Sequence, residues 1–166
     1  MLDLMWINRG TLLFVAMLAV GAASLKYGGA PERLLAASVL AAMVLDRFYH
    51  LAASGGATVW SFSDYSRVDV GHLVLDSALL LSMAAIALTA NRVYPIWIAG
   101  LQIVTLLTHF GRASAAEIQP LAYAIMTYAP FYLQLILMVA GLVFHTRRRK
   151  RRGEYRDWRL RNLKPT

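Results

Sequence analysis

The chain has no cysteine, so disulfides, thiolate metal centres and cysteine nucleophiles are all excluded at once. Charge is also scarce. Asp, Glu, Lys and Arg make up 16% of 166 residues, against about 25% in an average soluble domain. No HExxH or HxxxH motif is present, no internal repeat is visible, and the one low-complexity run is Arg147-Arg148-Arg149-Lys150-Arg151-Arg152. What fills the chain instead is apolar: 58% of positions are hydrophobic, an excess that needs a solvent other than water. This length suits one compact bundle of membrane helices and leaves little for a second domain.

The net charge of +8 is unevenly placed. Positions 1–146 carry seven basic and seven acidic residues, whereas the chain from Arg147 onward carries ten basic residues against Glu154 and Asp157. The hydrophobic body is therefore neutral and the basicity belongs to a tail. That pattern points away from nucleic acid and toward anionic lipid headgroups at 147–152, each basic residue near such a surface contributing about 1 kcal/mol. The sequence divides into a transmembrane helix bundle over 1–146 and a basic cytoplasmic tail over 147–166, with Tyr155 to Leu160 expected as a short interfacial helix that dips Trp158 into headgroups.

Spans of about 20 apolar residues cross the hydrocarbon core of a bilayer. Five are read here: Thr11 to Tyr27, Glu32 to Ala53, Asp69 to Ala90, Tyr94 to Ala113 and Ala122 to Thr146. Gly28-Gly29-Ala30-Pro31 and Asn91-Arg92-Val93-Tyr94-Pro95 form tight connections, which makes the helices they join antiparallel neighbours. The longer loop from Ser54 to Val68 holds Trp60, Phe62 and Tyr65, residues suited to the headgroup level. The first segment ends in Gly21-Ala22-Ala23-Ser24, which also fits a signal-peptide cleavage site, but only Arg9 precedes it to supply a positive start.

Lys26, Arg33, Arg92 and the tail fall on one side of these spans, Arg9, Arg67 and Arg112 on the other. Positive residues accumulate in the cytoplasm, so the N-terminus is expected outside and the C-terminus inside, in a bacterial inner (plasma) membrane. The expected fold is all-α: a polytopic bundle of about five transmembrane helices.

Ionisable residues inside spans are costly and mark sites or pairs. Asp46 and His50 lie at i, i+4; Asp69, His72 and Asp76 at i, i+3, i+7; Gln102, Thr105, His109 and Arg112 at i, i+3, i+7, i+10. Each set occupies one helix face, and Tyr123, Thr127 and Gln134 add a further stripe around Pro130. With the antiparallel topology, nearly all of these groups fall in the outer half, while the inner half is expected to offer Ser24, Ser38 and Ser82 but no carboxylate.

Three chemistries use these residues. A structural polar network would join Asp46, Asp76, Gln102, Thr105, His109, Arg112 and Gln134, with Gln102 pairing to Gln134. A metal site would take His50, His72 and His109 as ligands for zinc, iron or manganese, with Asp46 or Asp76 as ligand or general base of a membrane-embedded hydrolase or oxidoreductase. A haem b held between two of the histidines, in an electron-transfer subunit, ranks behind the metal. His145, beside the basic run, reads as an interface residue. The reading placed first is a small non-catalytic accessory or assembly subunit whose outer-side network holds its helices or a membrane-protein partner. The position of Arg112 discriminates, because an arginine beside a divalent cation is unfavourable.

Overall fold

The structure, a computed structural model, describes residues 9–53, 69–114 and 120–159. Five helices follow one another: α1 (Arg9–Tyr27), α2 (Ala30–Ala53), α3 (Val70–Thr89), α4 (Tyr94–Ser114) and α5 (Pro120–Arg152). The described residues contain no strand, only an isolated antiparallel bridge between Ala90 and Trp158. Each helix starts or stops where the sequence offers a reason. Gly28-Gly29 separates α1 from α2, Asp69 caps α3 by accepting from the N–H groups of Gly71 and His72, and Pro95 sits in the first turn of α4. Pro130 lies inside α5 without ending it.

Four of these helices, α1, α2, α3 and α5, are long and apolar enough to cross a membrane, which marks the chain as an integral membrane protein. Helix α4 is long enough, at 21 residues, but Gln102, Thr105, Thr108 and His109 lower its apolar character. Those four side chains are buried, whereas Ile96, Trp97, Ile103, Val104, Leu107 and Phe110 are exposed. Its polar stripe faces its neighbours and its apolar face is outermost.

Helices adjacent in sequence pack against one another, and α5 also reaches α1 and α2. A single apolar core gathers Met17, Leu35, Met83, Ile98 and Met138, one from each helix. Around it, large apolar side chains such as Leu81, Leu88 and Phe144 lie bare. In water such a surface would drive association; against lipid it is the expected exterior. The core occupies the half of the bundle where α2 and α4 begin and α3 and α5 end. Polar side chains converge in the opposite half.

The tail departs from expectation. Helix α5 runs on through Arg152, Gly153 turns the chain with φ 76°, and residues 153–159 form no interfacial helix but an extended strap folded back on the bundle. Asn91 N–H donates to the Asp157 carbonyl (2.8 Å) and Arg159 N–H to the Thr89 carbonyl (2.8 Å). Trp158 is half-buried against the apolar core. Helix α3 ends at Thr89, so the Thr89 carbonyl and the Asn91 N–H lack partners within the helix and pair with the strap instead.

Candidate functional site

The last turns of α2 present Asp46, Tyr49 and His50, and the first turns of α3 present Asp69, His72 and Asp76. Helical spacing sets each trio on one face, and Gly71 lets the two helices close: a methyl there would overlap the ring of Tyr49. Three ligand-capable atoms converge. His72 Nε2 lies 2.9 Å from Asp46 Oδ1, His50 Nε2 lies 3.6 Å from the same oxygen, and the two imidazole Nε2 atoms are 3.1 Å apart. A tetrahedral metal with bonds of about 2.0–2.1 Å holds its ligand atoms about 3.3 Å apart. The triangle matches that figure. Its members keep partial exposure, 29% for Asp46, 12% for His50 and 23% for His72, which leaves a way in.

The surroundings orient the ligands. His72 Nδ1 sits 3.2 Å from Asp69 Oδ2, a partner that orients the ring and that, with the proton on Nδ1, would turn the Nε2 lone pair toward the triangle. Asp69 is fixed in turn by the N–H groups of Gly71 (2.8 Å) and His72 (3.3 Å) and by the Tyr49 hydroxyl, which donates at 2.7 Å. No protein-family model, curated protein or solved structure matches this chain. The reading of the site rests on this geometry.

One turn deeper the chemistry changes. Asp76 Oδ2 lies 2.9 Å from His109 Nε2, and its Oδ1 accepts from Gln102 Nε2 at 3.0 Å. Gln134 Nε2 donates to Gln102 Oε1 at 2.9 Å and to the Ile98 carbonyl. Thr105 and Thr108 turn their hydroxyls onto carbonyls of their own helix. His109 is thus drawn to Asp76 on α3, while the close group of ligand atoms consists of Asp46, His50 and His72. The side chains of Arg112, Tyr123 and Thr127, and the loop with Trp60, Phe62 and Tyr65, lie outside the described residues.

The opposite end holds a second cluster, which the sequence reading missed. Glu32, expected only as the first residue of a span, is buried, and so is His145, expected at an interface. Arg92 Nε donates to Glu32 Oε1 (2.7 Å), and its Nη2 donates to Asp157 Oδ1 (2.6 Å) and meets His145 Nδ1 (3.0 Å). Tyr155 OH contacts His145 Nδ1 at 2.7 Å, and the Tyr94 hydroxyl donates to Glu32. The half expected to lie inside, without a carboxylate, does contain one. The available signal was Glu32 itself, three residues beyond Gly29: its Oε2 accepts the Gly29 N–H at 2.9 Å, the position of a capping-box acid.

Proposed function

We propose that this protein binds one divalent transition metal ion, zinc before iron or manganese, through Asp46 Oδ1, His50 Nε2 and His72 Nε2, near the outer face of a five-span bundle. The observation that carries the reading is the triangle of ligand atoms, together with the Asp69–His72 pair behind it. With the Nδ1 proton of His72 donated to Asp69, a neutral His72 turns a lone pair toward a carboxylate oxygen and a second imidazole nitrogen. Lone pairs converging within 3.6 Å call for a cation between them. Zinc fits the borderline nitrogen and oxygen donor set, and three protein ligands with a fourth position open to water is the arrangement of catalytic rather than structural zinc. Bound there, the metal would supply Lewis acidity and an activated water. Asp76, held by His109 and Gln102, is the carboxylate one turn further along α3.

A second reading has its own support. A doubly protonated His72 placed between Asp69 and Asp46 would satisfy both carboxylates without any metal, and the cluster would then be the polar network of a non-catalytic accessory or assembly subunit. In either reading α4 is the fifth span, since its exposed side chains Ile96, Trp97, Ile103, Val104, Leu107 and Phe110 are apolar and the polar ones described from Gln102 to His109 are buried. The positive excess of Lys26, Arg33, Arg92 and the basic run supports a cytoplasmic tail end, with anionic headgroups against 147–152, and a bacterial inner membrane suits this topology.

Elemental analysis of detergent-purified protein separates the two. The metal reading expects about one equivalent of zinc, iron or manganese, falling below a tenth in His50→Ala and His72→Ala, and cobalt substitution giving the visible bands of a tetrahedral centre. Protein that is metal-free after growth in metal-replete medium, and gives no tetrahedral cobalt spectrum, leaves the imidazolium network.

A further inference from the structure

The strap places a carboxylate where an anion belongs. Asp157 Oδ2 accepts the N–H of Ala30, the first residue of α2, at 2.8 Å, while its Oδ1 accepts from Arg92 Nη2. A helix N-terminus and a guanidinium together form a recurrent phosphate-binding arrangement. The Arg92 side chain is only 5% exposed, yet its Nη1 has no partner among the described residues. A carboxylate has two acceptor oxygens and here both are used; a phosphate group has a further oxygen to offer. Gly29 leaves room beside the site, since a methyl there would overlap Asp157. Lys26, Arg33 and the Arg147 to Arg152 run are exposed at the same end and raise the local concentration of anions. Tyr155 joins the strap to that run, its ring stacked under Arg92 at 4.6 Å and Arg148 at 4.1 Å.

We propose that Ala30 N–H and Arg92 form a phosphate-binding site that Asp157 fills as an internal stand-in, and that a phosphate group displaces the strap from it. The ligand is a phosphate carried by an anionic phospholipid headgroup or free in solution, and the site is independent of the metal triad.

The test uses the full chain labelled with 5-fluorotryptophan, in nanodiscs of phosphatidylcholine alone, with added phosphatidylglycerol, or with inorganic phosphate. The Trp158 fluorine resonance, assigned with Trp158→Phe, should divide into docked and released populations. The released one should rise at least threefold as phosphatidylglycerol increases if the lipid is the ligand, and with inorganic phosphate alone if the free ion is. Asp157→Ala, which empties the site, should bind the active phosphate species about tenfold more tightly than the parent chain. Asp157→Asn, which keeps an acceptor for the strap, should fall between them and serves if the alanine variant does not fold. Glu154→Ala makes the same change in charge outside the site and should alter affinity less than twofold. A Trp158 resonance unmoved by either phosphate source, or a Glu154→Ala effect equal to that of the Asp157 variants, overturns the proposal.

Discussion

The two ends of the bundle solve one problem, acid side chains packed between helices, by different means. At the tail end the positive charge is covalent: Arg92 lies between Glu32, 2% exposed, and Asp157, and its geometry is fixed by two short charge-assisted hydrogen bonds. At the opposite end the groups that meet Asp46 are imidazole nitrogens, whose charge depends on what they bind. A guanidinium stays charged at any physiological pH, while an imidazole gains charge with a proton or lends its lone pair to a metal. The cation at one end is therefore permanent, while the charge at the other depends on what its imidazoles bind.

The strongest test of that contrast removes the permanent cation. Arg92→Ala leaves Glu32 buried without its cation, and breaking a buried pair in this way costs about 3–5 kcal/mol. Thermal unfolding in detergent should show a large loss of stability, whereas His72→Ala in metal-free protein should lose far less. Comparable losses from the two variants would erase the distinction between the two ends.

The next effect is on metal affinity alone. Asp69 touches no point of the ligand triangle, but it orients His72 from behind. Replacement by Asn keeps one acceptor oxygen and removes the charge, and loss of such an outer partner lowers metal affinity about 10–100-fold. Competition with a chelating dye measures this directly. An unchanged affinity would show that the Asp69 contact serves only to cap α3.

Acid should then take the two ends apart at different pH. Metal competes with protons for imidazole, so metal should leave as pH falls from 7 toward about 5. Asp157 behaves otherwise: burial raises its pKa, but the Ala30 amide and Arg92 outweigh burial and hold it below its ordinary value of 3.8. A depressed carboxylate contributes stability that is complete above that ordinary value and is lost as pH falls through the lower folded-state value. The strap should stay docked after the metal has gone and release only below about pH 4. Metal content and Trp158 environment, followed through one acid titration, report both events. Simultaneous loss would mean that the ends are coupled through the bundle.

Sequence carried the helices well and the partners unevenly. Apolar run length and Gly or Pro punctuation located all five segments to within a few residues at most boundaries; α5 overran because Arg147 to Arg152 continue a helix as readily as they end a span. The i, i+4 pair Asp46 and His50 and the i, i+3 pair Asp69 and His72 were legible because helical periodicity is local. Which histidine joins them was not. His50, His72 and His109 fall in the same half of the bundle, but the placement of α4 decides that His109 meets Asp76, one turn away from the triangle. The Arg92 cluster was hidden for a different reason. Positive residues near span ends were counted for topology, and that count ignores whether a given arginine is solvated or enclosed by a returning tail 65 positions away in the chain.

The smallest predicted effect concerns the join between the two halves. Gln134 and Gln102 pair deep in the bundle, between the Asp76–His109 contact and the apolar core. Interhelical hydrogen bonds in membranes average about 0.6 kcal/mol, because alternative partners exist in the unfolded reference state. Gln134→Leu should therefore destabilise by about that amount and leave metal content unchanged, since Gln102 keeps its bond to Asp76. A larger loss, with metal lost as well, would show that the triad depends on a polar chain running from the Gln pair through Asp76 to the ligands. The metal site would then be positioned by all three of α3, α4 and α5, and not by the meeting of α2 and α3 alone.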